Sequence, residues 1–101
     1  MSKYNMYYIN LTLKSLMLDA LPLFIIAKDH YECDAIIDGI NHELWNLGYE
    51  NFVHFYKSCG EILVPSNFEP ADQIERIIVL IKNNRVKILS KDRLDKMFNN
   101  D

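Results

Sequence analysis

The spacing of apolar residues predicts one helix between positions 29 and 47. Apolar side chains recur at intervals of three and four residues, which places them on a single helix face. Asp29 stands where an N-cap is expected, with Glu32 three residues later as its capping-box partner. Gly48 follows the last apolar position, as a C′ glycine does at many helix ends. The apolar positions are Cys33, Ile36, Ile37, Ile40, Leu44 and Leu47.

A second helix is predicted from near Pro70 to Asn83-Asn84. Proline is favoured in the first helical turn, and the acidic Asp72 and Glu75 lie near the positive end of the helix dipole. Beyond this helix, residues 85–89 alternate like a short strand, and Ser90 can cap a last helical segment. The apolar stripe of the second helix is formed by Ile74, Ile77, Ile78 and Ile81.

Two segments fit both a strand and a helix. Residues 7–14 alternate apolar and polar side chains as a half-buried strand does, but residues 6–20 also repeat at helical spacing. Residues 52–64 fit a hairpin that turns at 58–60, or a short helix capped by Asn51. The density of β-branched and aromatic residues favours strands. We therefore expect a helix-rich, single-domain α+β fold over residues 1–101, with a short antiparallel or mixed sheet; the alternative is an all-α bundle of four to five helices.

Composition limits the class of protein. The chain has 101 residues, of which 50% are apolar and 25% charged, as in a single globular domain, and two cysteines are too few for a disulfide scaffold. The apolar run at 16–27 contains Asp19 and Pro22 and is shorter than the roughly 20 residues of a membrane helix. We expect this run to lie in the core, and we expect a cytoplasmic protein with reduced thiols and no membrane partner.

Charge is distributed unevenly along the chain. Positions 29–75 contain ten acidic residues and one lysine, a net charge of −9, whereas positions 76–101 contain seven basic and three acidic residues. An acidic surface repels phosphate groups and attracts basic proteins. The basic tail contains acidic residues and only one aromatic residue, so we expect no nucleic-acid partner.

The sequence contains no recognised catalytic motif. It lacks a nucleophile elbow, a phosphate-binding glycine loop and a His-Glu-x-x-His motif, so we expect no enzyme activity, no catalytic residue and no cofactor. His30-x2-Cys33 and His54-x4-Cys59 lack the closely spaced cysteine pair of structural zinc sites, so we expect no metal site either. A thiol- or zinc-dependent protein that uses Cys59 and His54 is a further alternative.

The first predicted helix carries aromatic and acidic residues away from its apolar stripe. At about 100° per residue, Asp34, Asp38, Trp45 and Tyr31 lie roughly 100° to 160° from that stripe. Tryptophan and tyrosine are enriched in binding hot spots, and carboxylates select basic partners. A rival interpretation is that Trp45 folds over the edge of the core while the acids are merely solvated. The predicted partner-binding residues are Tyr31, Asp34, Asp38, Asn41, Glu43 and Trp45.

In size and charge layout the chain is similar to small immunity or inhibitor proteins that neutralise nucleases in bacterial or phage systems. That resemblance implies a non-catalytic protein whose acidic surface blocks a basic partner such as a nuclease toxin. An alternative is a small homo-oligomeric structural or regulatory subunit, such as a homodimer, with the apolar residues of 6–27 buried between copies.

Overall fold

The computed structural model of the protein describes residues 1–13 and 18–84. Within these ranges the chain forms, in order, strands β1 (Ser2–Leu13) and β2 (Leu18–Ala27), helix α1 (His30–Asn46), strand β3 (Asn51–Val64) and helix α2 (Asp72–Asn84). The strand predicted at 85–89 and the helical segment predicted after Ser90 lie outside the described residues. Neither helix in the described ranges has the length and apolar character needed to cross a lipid bilayer.

The three described strands form an antiparallel sheet in the order β2-β1-β3. The predicted α+β class is confirmed, and the all-α alternative is wrong. The strands are 12, 10 and 14 residues long, so the sheet is larger than the short one expected. Both helices contribute buried residues to the hydrophobic cluster that includes the central strand.

The ambiguity at residues 7–14 is resolved by the alternation of the central strand. Every second residue from Tyr7 to Leu13 is buried, and the residues between them are only partly buried. Pro22, which would break a helix, lies in β2 and pairs with Asn10 of β1. Among the described strands, β2 is an edge strand with β1 as its one neighbour. Proline is tolerated in an edge strand when its nitrogen faces away from the neighbouring strand.

The hairpin and the short helix considered for residues 52–64 are both wrong, because this segment is one continuous strand. Asn5 pairs with Glu61 and Tyr7 pairs with Ser58, so two β3 residues lie opposite the single residue between them in β1. Gly60, one of the two, has a φ of 101°. The glycine thus forms a β-bulge, which adds one residue to the strand without reversing its direction.

Both ends of α1 follow the sequence-based prediction. The Asp29 side chain accepts a hydrogen bond from the Glu32 backbone N–H at 2.9 Å, and the Glu32 side chain accepts one from the Lys28 N–H at 2.6 Å. Gly48, with a φ of 88°, follows the C-cap residue Leu47. These bonds satisfy backbone groups that a helix end leaves free, so they define where α1 begins and ends.

Gln73 is the buried polar residue that joins α2 to the sheet. It is 1% exposed, and its side-chain oxygen accepts a hydrogen bond from the Ile26 N–H at 2.8 Å. Its side-chain nitrogen donates to the Ile26 carbonyl at 2.6 Å and to the Pro70 carbonyl at 2.9 Å. The amide therefore pairs with the outer edge of β2 as a neighbouring strand would, and it attaches the start of α2 at that point.

We predict that Gln73→Leu lowers the free energy of unfolding by about 2–4 kcal/mol. Leucine keeps most of the volume but leaves the buried backbone groups of Ile26 unpaired. Urea denaturation followed by circular dichroism measures the change, with Glu75→Gln on the exposed face of the same helix as the control. A Gln73→Leu variant as stable as the control would contradict this role for the amide.

Candidate functional site

Five residues of α1 form a continuous stripe on its surface. They recur at spacings of three and four residues, so they share one side of the helix, over a length of about 21 Å. We call them the aromatic-acidic stripe: Tyr31, Asp34, Asp38, Asn41 and Trp45. The stripe exists because α1 buries a different set of side chains against the sheet, namely Cys33, Ile36, Ile37, Ile40 and Leu44.

Four of the five stripe residues are exposed. Trp45 is 62% and Tyr31 73% exposed, so neither ring is folded into the core. Asp34 and Asp38 are also exposed. Among residues 1–13 and 18–84, no lysine or arginine forms a salt bridge with either aspartate. The stripe therefore presents an accessible indole on the same helix face as two carboxylates that no described lysine or arginine neutralises.

The other two predicted residues are placed differently. Asn41 is only partly exposed, and its side-chain oxygen is buried with no hydrogen-bond partner in the described part of the chain. Glu43 is exposed but lies beside α2, where it lines a cavity with Ile74 and Ile78. At about 100° per residue, Glu43 is roughly 160° around the helix from Trp45. The structure thus brings five of the six predicted residues together and separates Glu43 from them.

The aspartates and glutamates of α1 are not balanced by any lysine or arginine in the helix. The helix contains Glu32, Asp34, Asp38 and Glu43 and has no lysine or arginine. Its last turn, which includes Trp45, has no basic residue to offset the partial negative charge of a helix C-terminus. Side-chain charge and helix dipole therefore both favour a cation close to the indole.

Tyr56 of β3 lies beside α1 and was not predicted from the sequence. It is 38% exposed, its ring centre is 5.5 Å from that of Tyr7, and its hydroxyl donates a hydrogen bond to the Cys33 thiol. Burial raises the pKa of Tyr56, as do that hydrogen bond and the negative charge of Asp34. The Asp34 carboxylate is therefore close enough to Tyr56 to disfavour its ionisation.

The two thiols have different environments. Cys33 is fully buried, as its place in the apolar stripe predicted, and burial raises its pKa to about 11, although the Tyr56 hydrogen bond opposes that rise. Cys59 is exposed in the β3 bulge, where its thiol donates to the Lys57 carbonyl at 3.7 Å. A catalytic thiol must be accessible and ionised, and Cys33 is neither.

No arrangement of three or more His, Cys, Asp and Glu side chains suited to a metal ion occurs within the described residues. The alternative of a thiol- or zinc-dependent protein that uses Cys59 and His54 stays a prediction, because the His54 side chain lies outside what the structure describes.

Comparison with known proteins provides no family for this chain. No protein-family model matches it, and neither the curated proteins nor the solved structures include a significant match.

We predict that iodoacetamide alkylates Cys59 rapidly in the folded protein while Cys33 stays unmodified at pH 8. Cys33 is shielded by the core and remains protonated until the pH approaches 11. Peptide mass spectrometry after timed alkylation distinguishes the two sites, and alkylation in denaturant, where both should react, is the control. Equal modification of both thiols in the folded protein would contradict the packing of α1.

Proposed function

We propose that this protein is a non-catalytic binding protein that docks onto a basic protein through the aromatic-acidic stripe of α1. The observation that supports this most strongly is an exposed indole that shares one helix face with two carboxylates, neither of which is paired with a described residue. The protein would block its partner in the way that small immunity or inhibitor proteins block nuclease toxins. Both cysteines are free thiols, which supports a reducing compartment such as the cytoplasm.

The residues of the stripe have complementary roles in such an interface. Trp45 and Tyr31 are large rings that become desolvated against a partner, and such rings commonly account for most of the binding energy. Asp34 and Asp38 lie one helical turn apart and provide two acceptors for lysine or arginine. Long-range attraction by these carboxylates also increases the association rate.

Rigidity supports the same function. The stripe lies on a helix that is capped at its N-terminus by Asp29 and held against the core by buried side chains over about three turns. Its backbone is therefore already ordered before a partner arrives, which lowers the entropic cost of association. A loop of the same composition would have to be ordered during binding.

A nuclease offers a partner of the required chemistry. Its substrate-binding surface carries lysine and arginine residues for phosphate groups. Carboxylates of the stripe would pair with those cations while the aromatic rings at its two ends cover the adjacent surface. Binding of nucleic acid to the nuclease would then be blocked by occupancy, without any chemical step in the inhibitor.

We predict that Asp34→Lys combined with Asp38→Lys abolishes partner binding and leaves the thermal midpoint nearly unchanged, because both residues are exposed. Tagged wild-type and variant proteins are used to capture partners from the native cell, and co-purifying proteins are quantified by mass spectrometry. The expected result is a basic protein that the wild type retains and the variant loses. Trp45→Ala should then weaken binding of that protein by roughly 30-fold or more.

The matched control is Glu61→Lys combined with Glu69→Lys, which makes the same change in net charge at two other exposed positions. It should retain the partner. Equal loss with the control would indicate general charge attraction, and unchanged binding by the stripe variant would reject this surface. Light scattering of the wild type tests the homo-oligomeric alternative, which predicts a mass that is a multiple of the chain mass.

A further inference from the structure

An accessible depression lies between the two helices, away from the aromatic-acidic stripe. It has a volume of about 430 Å³ and is lined by Glu43 of α1, by α2 residues and by Ala71 just before α2. We call it the interhelical groove, with the lining residues Glu43, Ala71, Ile74, Glu75, Ile78 and Val79. Its volume is within the range of cavities that bind small molecules or single large side chains.

The groove follows from the close approach of α1 and α2. A Cβ atom added to Gly39 would lie 2.5 Å from the Cδ1 atom of Ile74, so a larger residue here would force the Ile74 side chain to move. Glu43 lies one helical turn beyond Gly39, and Ile78 lies one turn beyond Ile74. The contact between Gly39 and Ile74 and the groove therefore lie next to each other along the line where α1 and α2 meet.

The groove combines an apolar floor with an acidic rim. Ile78 is buried and Ile74 is partly buried, whereas Val79 is 46% exposed. Glu43 lies on the α1 wall and Glu75 lies on the α2 side; both are exposed, and neither forms an ion pair with a described residue. None of the described residues that line the groove is basic. Its chemistry is therefore that of an aliphatic slot with one carboxylate from each helix.

We propose that the interhelical groove binds a basic amphipathic helix of a partner protein. An aliphatic side chain of that helix enters the slot, and lysine or arginine residues on both sides of its apolar stripe pair with Glu43 and Glu75. The charges select a cationic segment, since two unpaired carboxylates would repel an acidic one. This surface is separate from the stripe, and the proposal does not depend on the proposed function.

The backbone of the groove walls favours a helix over an extended peptide. A peptide that binds by β-strand addition needs the free edge of a strand, whereas the N–H and C=O groups along α1 and α2 are already used within the helices. A helical ligand satisfies its own backbone groups and needs only side-chain contacts. Two helices in contact also present a seam into which a third helix can pack.

The test uses a synthetic peptide of about 14 residues, or four helical turns. Leucine recurs in it at spacings of three and four, and lysine flanks the leucine stripe on both sides. A peptide of the same composition in scrambled order is the control ligand. Affinity is measured by calorimetry, and the site is located by NMR titration of the labelled full-length protein.

The proposal expects the amphipathic peptide to shift the resonances of Ile74, Ile78 and Val79, and to bind more tightly than the scrambled peptide. Glu43→Gln combined with Glu75→Gln should weaken binding roughly tenfold. The matched control, Asp34→Asn combined with Asp38→Asn, removes the same charge from the stripe and should change affinity less than about twofold. Both variants alter only exposed side chains, so folding is retained.

Four results would overturn the proposal. The first three are that the peptide fails to bind, that it binds the groove variant as tightly as the wild type, and that the resonance shifts it causes centre on the stripe. The fourth is a dependence of the groove resonances on protein concentration without peptide, which would identify a second copy of the chain as the occupant. Peptide binding to the groove is also distinguishable from the proposed function, because the Asp34→Asn and Asp38→Asn variant keeps the peptide site.

Discussion

The burial of one face of α1 on the sheet is the constraint on which the rest of the structure depends. Cys33, Ile36, Ile37, Ile40 and Leu44 are all buried in contact with the hydrophobic cluster that contains the inward residues of β1. Because side-chain directions on a helix are linked by its pitch, this burial also sets which side chains point away. The aromatic-acidic stripe is therefore exposed as a consequence of core packing, and its rings and carboxylates are held in fixed relative positions.

A second constraint sets the position of α2 relative to α1. Gln73 attaches the start of α2 to the outer edge of β2, and Gly39 permits Ile74 to pack closely against α1. Together they produce the interhelical groove on one side of α1, while the stripe remains on the other. One helix thereby contributes to two separate acidic surfaces, a stripe with an aromatic ring at each end and a groove with an aliphatic floor.

The sequence predicted best what depends on local interactions. The capping pattern of Asp29, Glu32 and Gly48 predicted the ends of α1, and the isoleucine spacing predicted α2. Residues 52–64 were misinterpreted because a glycine in a polar segment is typical of both a hairpin turn and a β-bulge. Only the pairing of β3 with β1 over its whole length distinguishes these two structures.

The candidate site was predictable only in part, for a similar reason. The helical angles placed Tyr31, Asp34, Asp38 and Trp45 together, and the same arithmetic could have separated Glu43 from them. No sequence pattern could indicate that Tyr56 lies beside Cys33, or that Gln73 pairs with Ile26, because these partners are 23 and 47 residues apart in the chain. Such contacts are set by the packing of whole elements rather than by local preference.

The most direct test of the account uses Trp45, the only tryptophan in the chain, as a reporter. Its fluorescence is quenched with caesium and with iodide at low ionic strength, and both constants are normalised to those of a free tryptophan derivative. An exposed indole in a negative potential predicts efficient quenching by caesium and suppressed quenching by iodide, a difference that added salt removes. Weak quenching by both ions, or equal quenching by the two, would contradict the central claim that an accessible indole shares a helix face with carboxylates that the described residues leave unpaired.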